Sequence, residues 1–376
     1  MGAPERDDPV SWAALTLLDL DRREADDPHH PGMPLDLPGR RAALRILYES
    51  GRLAGRGDLA CYAVAALHGA RESIPQDAVR DATVAAFLLG DYAAAVPLFT
   101  ADASAAEAGG QLAWAVYCWA GAARCQVALG DLAAGRATID HTRGLVARLP
   151  ELTLGWQLLH HQGAEDALVM VVDEEWAERR SAFAPWLAPG PERHWGIAAI
   201  TSLGARIEAR MGHRDAALAL LATPIRALRQ APAWAPNYCR MACEVAETLW
   251  LLDRRDHVSV IESALRDKAL PADFRFPMTD ARLALARLCA LAGRAAEATD
   301  WFGRAREVLD AQGARPLRAV VDHDEALMHL RAGDPAAARP YVTAARAAFD
   351  ALGMTGWARR LARSTADLRS RVPIAE

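Results

Sequence analysis

The stretch LARLCALAGRAAEATDWFGRAREVLDAQG, Leu285 to Gly313, reads as two helices around one turn. Ala, Leu, Arg and Glu build helices and glycine ends them, so Gly293 and Gly313 are read as punctuation. Outward from Gly293-Arg294 the same punctuation returns at Gly90-Asp91, Gly130-Asp131, Val172-Asp173, Gly212-His213, Asp253-Arg254 and Gly333-Asp334, in steps of 40, 42, 40, 41, 40 and 40 residues. A second series, Gly109-Gly110, Pro150, Gly190-Pro191, Pro232, Pro271, Gly313 and Gly353, is spaced by 41, 40, 41, 39, 42 and 40. Two series of one period cut each unit in half, which predicts a stack of helical hairpins.

Small residues recur where such helices must cross closely. Seven before the turns stand Thr83, Ala123, Ala205, Ala246, Ala286 and Ala326, and five after them Ala95, Gly135, Ala217, Val258, Ala298 and Ala338. Nine after them Phe99, Ile139, Leu221, Phe302 and Val342 are large and apolar, while Glu262 breaks the series beside Ile261. The unit around Val172 departs as well, with Glu165 and Ala177 at the small positions.

The Leu285–Gly313 stretch, together with EALMHLRAGDPAAARPYVTAARAAFDALGMTGWARRLARS (Glu325 to Ser364), resembles tetratricopeptide repeats of the long-helix kind. Kinesin light chains and the C-terminal arrays of bacterial MalT-like and LuxR-type signalling ATPases carry such repeats. The likeness covers about Pro75 to Arg371; Pro97 and Pro340, each seven after a turn, and the ending FDALGMTGWARR belong to it. The resemblance implies an all-α, right-handed superhelical solenoid of about seven hairpins with capping helices. It specifies a scaffold or sensor better than a chemistry.

The chain falls into an N-terminal helix and acidic, proline-rich linker at 1–37, a divergent capping hairpin at 38–74, the repeat array at 75–356, and a cap helix and tail at 357–376. The cap helix, Trp357 to Arg371, is expected to be solvated. No glycine-rich phosphate loop ending in Lys and Ser or Thr is present, and Lys268 is the only lysine, which excludes a P-loop ATPase. No basic helix-turn-helix follows the array. A net charge of −5 and a pI near 6.1 argue against a nucleic-acid partner. Neither a signal-peptide core nor a membrane-length apolar run appears, so a cytoplasmic protein without membrane contact is expected. Cys61, Cys118, Cys125, Cys239, Cys243 and Cys289 lie in helical patterns and read as free buried thiols. No metal or cofactor is expected.

Six before the turns, on the first helix of each hairpin, stand Val84, Arg124, Asp166, Arg206, Glu247, Arg287 and Leu327. The five charges alternate. As structure they are a ladder of partly solvated ion pairs between neighbouring repeats. As function they floor a concave groove where arginines hold a carboxylate or phosphate. The candidate groove set is Arg80, Arg124, Asp166, Arg206, Glu247, Arg287 and His323. His161 pairs with Glu165 at helical spacing, as Glu325 does with His329, but HExxH and HxxEH are both absent. Trp114, Trp156 and Trp195, near the starts of successive first helices, read as core plugs between hairpins.

The chain therefore reads as a non-catalytic interaction or sensor module for a protein, peptide or small effector. Two alternatives stay open. One is a helical-repeat enzyme of small-molecule metabolism using His161, Glu165 or His323 as acid or base, favoured by a deep pocket holding those side chains. The other is the detached effector-sensing part of a LuxR-type regulator.

Overall fold

The computed structural model describes residues 86–87, 90–149, 154–187, 194–230, 236–270 and 275–369. Among them are fourteen α-helices and no strand, so the chain is all-α over this span. In order these are α1 Tyr92–Ala108, α2 Leu112–Leu129, α3 Leu132–Val146, α4 Leu154–Val172, α5 Trp176–Leu187, α6 His194–Arg210 and α7 Arg214–Gln230. They continue with α8 Pro236–Leu251, α9 Val258–Ala264 ending in a π-helical turn at Leu265–Ala269, α10 Ala281–Leu291, α11 Ala295–Ala311, α12 Arg315–Arg331, α13 Pro335–Leu352 and α14 Thr355–Arg369. The predicted linker and capping hairpin at 1–74, and Pro150, Gly190, Pro232 and Pro271 of the second series, lie outside the described residues.

The first punctuation series works as read. Gly130 takes a left-handed conformation (φ 81°) and its N–H closes the end of α2, while Asp131 accepts from Ala134 N and starts α3. Asp91 and Asp334 cap α1 and α13 in the same way. Asp173 (φ 54°) and Asp253 (φ 50°) fill the left-handed position where glycine is missing, a conformation Asp tolerates better than most residues. In the Val172 unit the left-handed residue is thus one later than the dipeptide alignment places it.

The small positions are buried: Ala123, Ala205, Ala246, Ala286 and Ala326 before the turns, and Ala95, Gly135, Ala217, Val258, Ala298 and Ala338 after them. In the divergent unit Ala177 is exposed. Each helix packs on its neighbour in sequence, and the even-numbered helices also pack on one another: α2 on α4, α6 on α8, α8 on α10, α10 on α12, and α12 on α14.

This row of helices curves back on itself. α2 touches α12, and α4 touches α14. Arg315 Nε donates to Leu129 O at 2.8 Å and Trp357 Nε1 donates to Met170 O at 2.8 Å, across 186 and 187 residues. Gly356 is needed there: a Cβ at that position would stand 2.3 Å from Asp173 O and 2.4 Å from Val172 O. The last helix, expected to be a solvated cap, therefore has an inner face. Its Trp357 is among the largest fully buried side chains. Trp114 is half-buried and stacks on Tyr117 at 4.8 Å, while the side chains of Trp156 and Trp195 lie outside the described set.

Candidate functional site: a ring of charges around a small cavity

The closure brings five even-numbered helices around one cavity of about 160 Å³. Arg210 reaches it from α6, Trp250 and Leu251 from α8, Arg287 from α10, His323, Asp324, Leu327 and Arg331 from α12, and Trp357, Arg360 and Ser364 from α14.

Around it runs an unbroken alternation of charge. Arg360 Nε lies 2.7 Å from Asp173 Oδ2, Asp173 Oδ1 lies 3.4 Å from Arg210 Nη1, and Arg210 donates to Glu247. Glu247 Oε2 lies 3.3 Å from Arg287 Nη1, and Arg287 Nε lies 2.7 Å from Asp324 Oδ2. Asp324 Oδ1 then meets His323 Nδ1 at 2.9 Å. Trp357 completes the circuit: its ring lies 5.2 Å from that of His323, edge to face, and the Arg210 guanidinium stacks on it at 4.3 Å.

Most of this ring joins side chains 37 or 40 residues apart, one repeat along the chain. Burial raises the cost of each charge, and sharing repays it. Burial alone would raise Glu247, yet Arg210, Arg287 and Arg206 outweigh it and lower its carboxyl to about 2. Asp324 is likewise held far below the usual range, burial being overcome by Arg287 and His323. Arg287 is raised, since Asp324 and Glu247 outweigh its burial. Arg210 is lowered, because burial exceeds what Glu247 and Asp173 return.

Arg331 stands outside the ring. Its guanidinium stacks 4.2 Å over Trp250 and donates to Trp250 O at 3.4 Å. Asp253 Oδ1 is 4.0 Å away on a side chain 69% exposed. Burial lowers Arg331, only partly offset by Asp253 and Asp324.

The residues expected to floor a groove take three different places. Glu247, Arg287 and His323 join the ring. Arg206 is 1% exposed and donates to Asp166 Oδ2 at 2.8 Å, with Glu244 at 3.6 Å, a buried chain in which Glu244 takes the place the ladder gave to Glu247. Arg124 lies apart, half-buried over the Phe87 ring at 5.0 Å, and burial and the nearby Arg240 lower it to about 10. Arg80 lies outside the described residues.

Of the candidate acid–base residues, only His323 is at the cavity. His161 Nε2 meets Glu165 at 3.2 Å, and Glu165 is also held by Arg143 at 2.8 Å and Arg179 at 2.6 Å. Against its burial, His161, Arg143 and Arg179 lower Glu165 to about 2, leaving a saturated carboxylate poorly suited to proton transfer.

Glu262, Cys289 and Glu297 bring ligand atoms within 4.8 Å of one another. Both carboxylates are already paired with Arg266 and Arg294, and burial raises the Cys289 thiol to about 11. A cation there would have to displace two arginines and deprotonate a reluctant thiol. Cys118, Cys125, Cys239, Cys243 and Cys289 are buried and form no disulfide.

Sequence reading missed Arg210, Trp250, Asp324, Arg331, Trp357 and Arg360. One signal for two of them was present: Arg210 and Arg331 both stand two residues before a turn glycine. No protein-family model matches the chain, and no curated protein matches it. The likeness to tetratricopeptide arrays therefore rests on the residues quoted for it.

Proposed function

We propose that the helices form a right-handed superhelix of about seven tetratricopeptide-like hairpins with capping helices, and that the chain is a non-catalytic, cytoplasmic sensor or interaction module. Its ligand is a small effector seated in the ringed cavity, not a peptide laid along an open trough. One observation carries this reading: five even-numbered helices converge on one cavity, while Arg206 and Asp166 beyond it are buried and paired with each other. A ligand there touches α8, α12 and α14 together, so binding and the closure of α14 on α4 are linked. Such linkage is what a sensor requires. Among the described residues no helix is long and apolar enough to cross a membrane.

The test is a small-molecule screen by thermal shift on the wild type and on Leu327→Trp, which fills the cavity. Compounds that stabilise the wild type should lose their effect in the variant. Hits that act equally on both proteins place the ligand elsewhere and end this reading.

The His323–Asp324 pair supports a second reading, a helical-repeat enzyme using His323 as base. A carboxylate on Nδ1 orients an imidazole as in hydrolytic triads, and Ser364 lines the same cavity. His323 Nε2 has no hydrogen-bond partner, so Ser364 is not engaged as a nucleophile in this state. Turnover of any screened ester or amide, lost in Ser364→Ala, would favour the enzyme.

A further inference from the structure

The cavity wall is not electrically even. Arg210, Arg287 and Arg360 are matched by Asp173, Glu247 and Asp324, whereas Arg331 has the distant, solvated Asp253 and a longer-range pull from Asp324, which Arg287 already holds. Water screens an exposed partner at that range, so among the described residues Arg331 is the under-compensated cation of the cavity wall. The surplus is a single positive charge.

A second unmet group lies on the same helix. Asp324 is ionised and can only accept, so the 2.9 Å contact requires His323 Nδ1 to carry the hydrogen. In the neutral imidazole Nε2 is then an acceptor, and in this structure that atom is buried and has no partner. Leu251, Leu327 and the Trp250 and Trp357 rings supply the apolar part of the wall, and Ser364 adds one hydroxyl side chain. At about 160 Å³ the space matches one benzene-sized molecule, since a cavity of about 150 Å³ holds benzene.

Resting on the cavity as effector site, we infer that its ligand is a small hydroxylated monocarboxylate: the carboxylate pairs with Arg331, the hydroxyl donates to His323 Nε2, and a short carbon chain lies against Leu251 and Leu327. A single negative charge balances the single surplus cation. A phosphate dianion would leave an unpaired charge in a partly desolvated space, and a neutral polyol would leave Arg331 as it is. The depressed Arg331 and Arg210 agree, because an added anion relieves both. Closing α14 over such a ligand would also bury its chain beside Trp357.

The full-length protein is titrated with lactate, propionate, propane-1,2-diol and inorganic phosphate, followed by tryptophan fluorescence and thermal shift. Propionate lacks the hydroxyl and the diol lacks the charge. Lactate should bind saturably and raise the melting temperature, and propionate should bind about tenfold more weakly for the lost hydrogen bond. The diol and phosphate should not bind. Arg331→Gln, at a partly exposed position, should keep the unliganded melting temperature and weaken lactate by about ten- to a hundredfold.

Equal lactate affinity in Arg331→Gln overturns the inference, and so does propionate binding as tightly as lactate. Binding of the diol or phosphate that Leu327→Trp abolishes leaves the effector cavity standing and removes the carboxylate from it. Binding by none of the four overturns the carboxylate alone, because the cavity itself is judged by the wider screen.

Discussion

Two clusters in this chain pair arginines with glutamates and differ most in burial. In the inner ring Glu247 joins Arg210 to Arg287, across three even-numbered helices, with every partner at most 5% exposed in its side chain. In the outer cluster Glu262 and Glu297 join Arg266 to Arg294, with side chains 15% to 40% exposed. Glu247 removed from the ring leaves two buried guanidinium groups each one partner short, with only Asp173 and Asp324 to hold them. An acid removed from the outer cluster leaves groups that water takes up. The difference teaches that alternation of charge reports pairing but not the medium in which the pairs sit, and the medium sets their weight.

The largest break should come from Glu247→Ala, which uncouples two buried arginines and should cost about 3–5 kcal/mol in urea unfolding. A loss no greater than that of an outer-cluster variant would dissolve the distinction. Acid should act next. Glu247 has a folded value of about 2 against an ordinary 4.5, so its contribution is complete above pH 4.5. That contribution declines as pH falls from about 4.5 towards 2, a linkage of about 3 kcal/mol. Equilibrium unfolding measured across this window should show the decline in the wild type and a flatter profile in Glu247→Gln.

Gly356→Ala should cost about 1–3 kcal/mol by pushing α14 off α4, and Ala286→Leu should cost a similar amount where helices cross at full burial. Hydrogen exchange separates the two: the first should deprotect α14, and the second the helices around α10. Smallest of all, Glu297→Ala should cost about 0.2–1 kcal/mol and shrink further in high salt. A larger loss there would show that the outer cluster is also effectively dry.

Local chemistry was legible. Gly130-Asp131 announced both the end of one helix and the cap of the next, and Ala123, Ala205, Ala246, Ala286 and Ala326 marked crossings that are buried in the structure. The alternation of Asp166, Arg206, Glu247 and Arg287 was also readable, but its depth was not. Arg206 read as partly solvated and is 1% exposed, because burial depends on how tightly the row curves. Trp357 and Arg360 read as a solvated cap for the same reason. Their partners Met170 and Asp173 lie 187 residues away, and no periodic signal of about forty residues encodes which distant turn a helix will meet.

A linear stack of repeats frays from either end, gains or loses whole units, and stays stable roughly in proportion to its length. The contacts from α2 to α12 and from α4 to α14 take that freedom away. Inserting or deleting one unit of about forty residues would carry Gly356 past Asp173 and Arg315 past Leu129, leaving helices with no seat. Copy number is thus part of the design, in the way that blade number is fixed in a closed propeller. Variation in this molecule has to proceed by substitution within units, with unit count held constant, and unfolding has to begin by opening the seam.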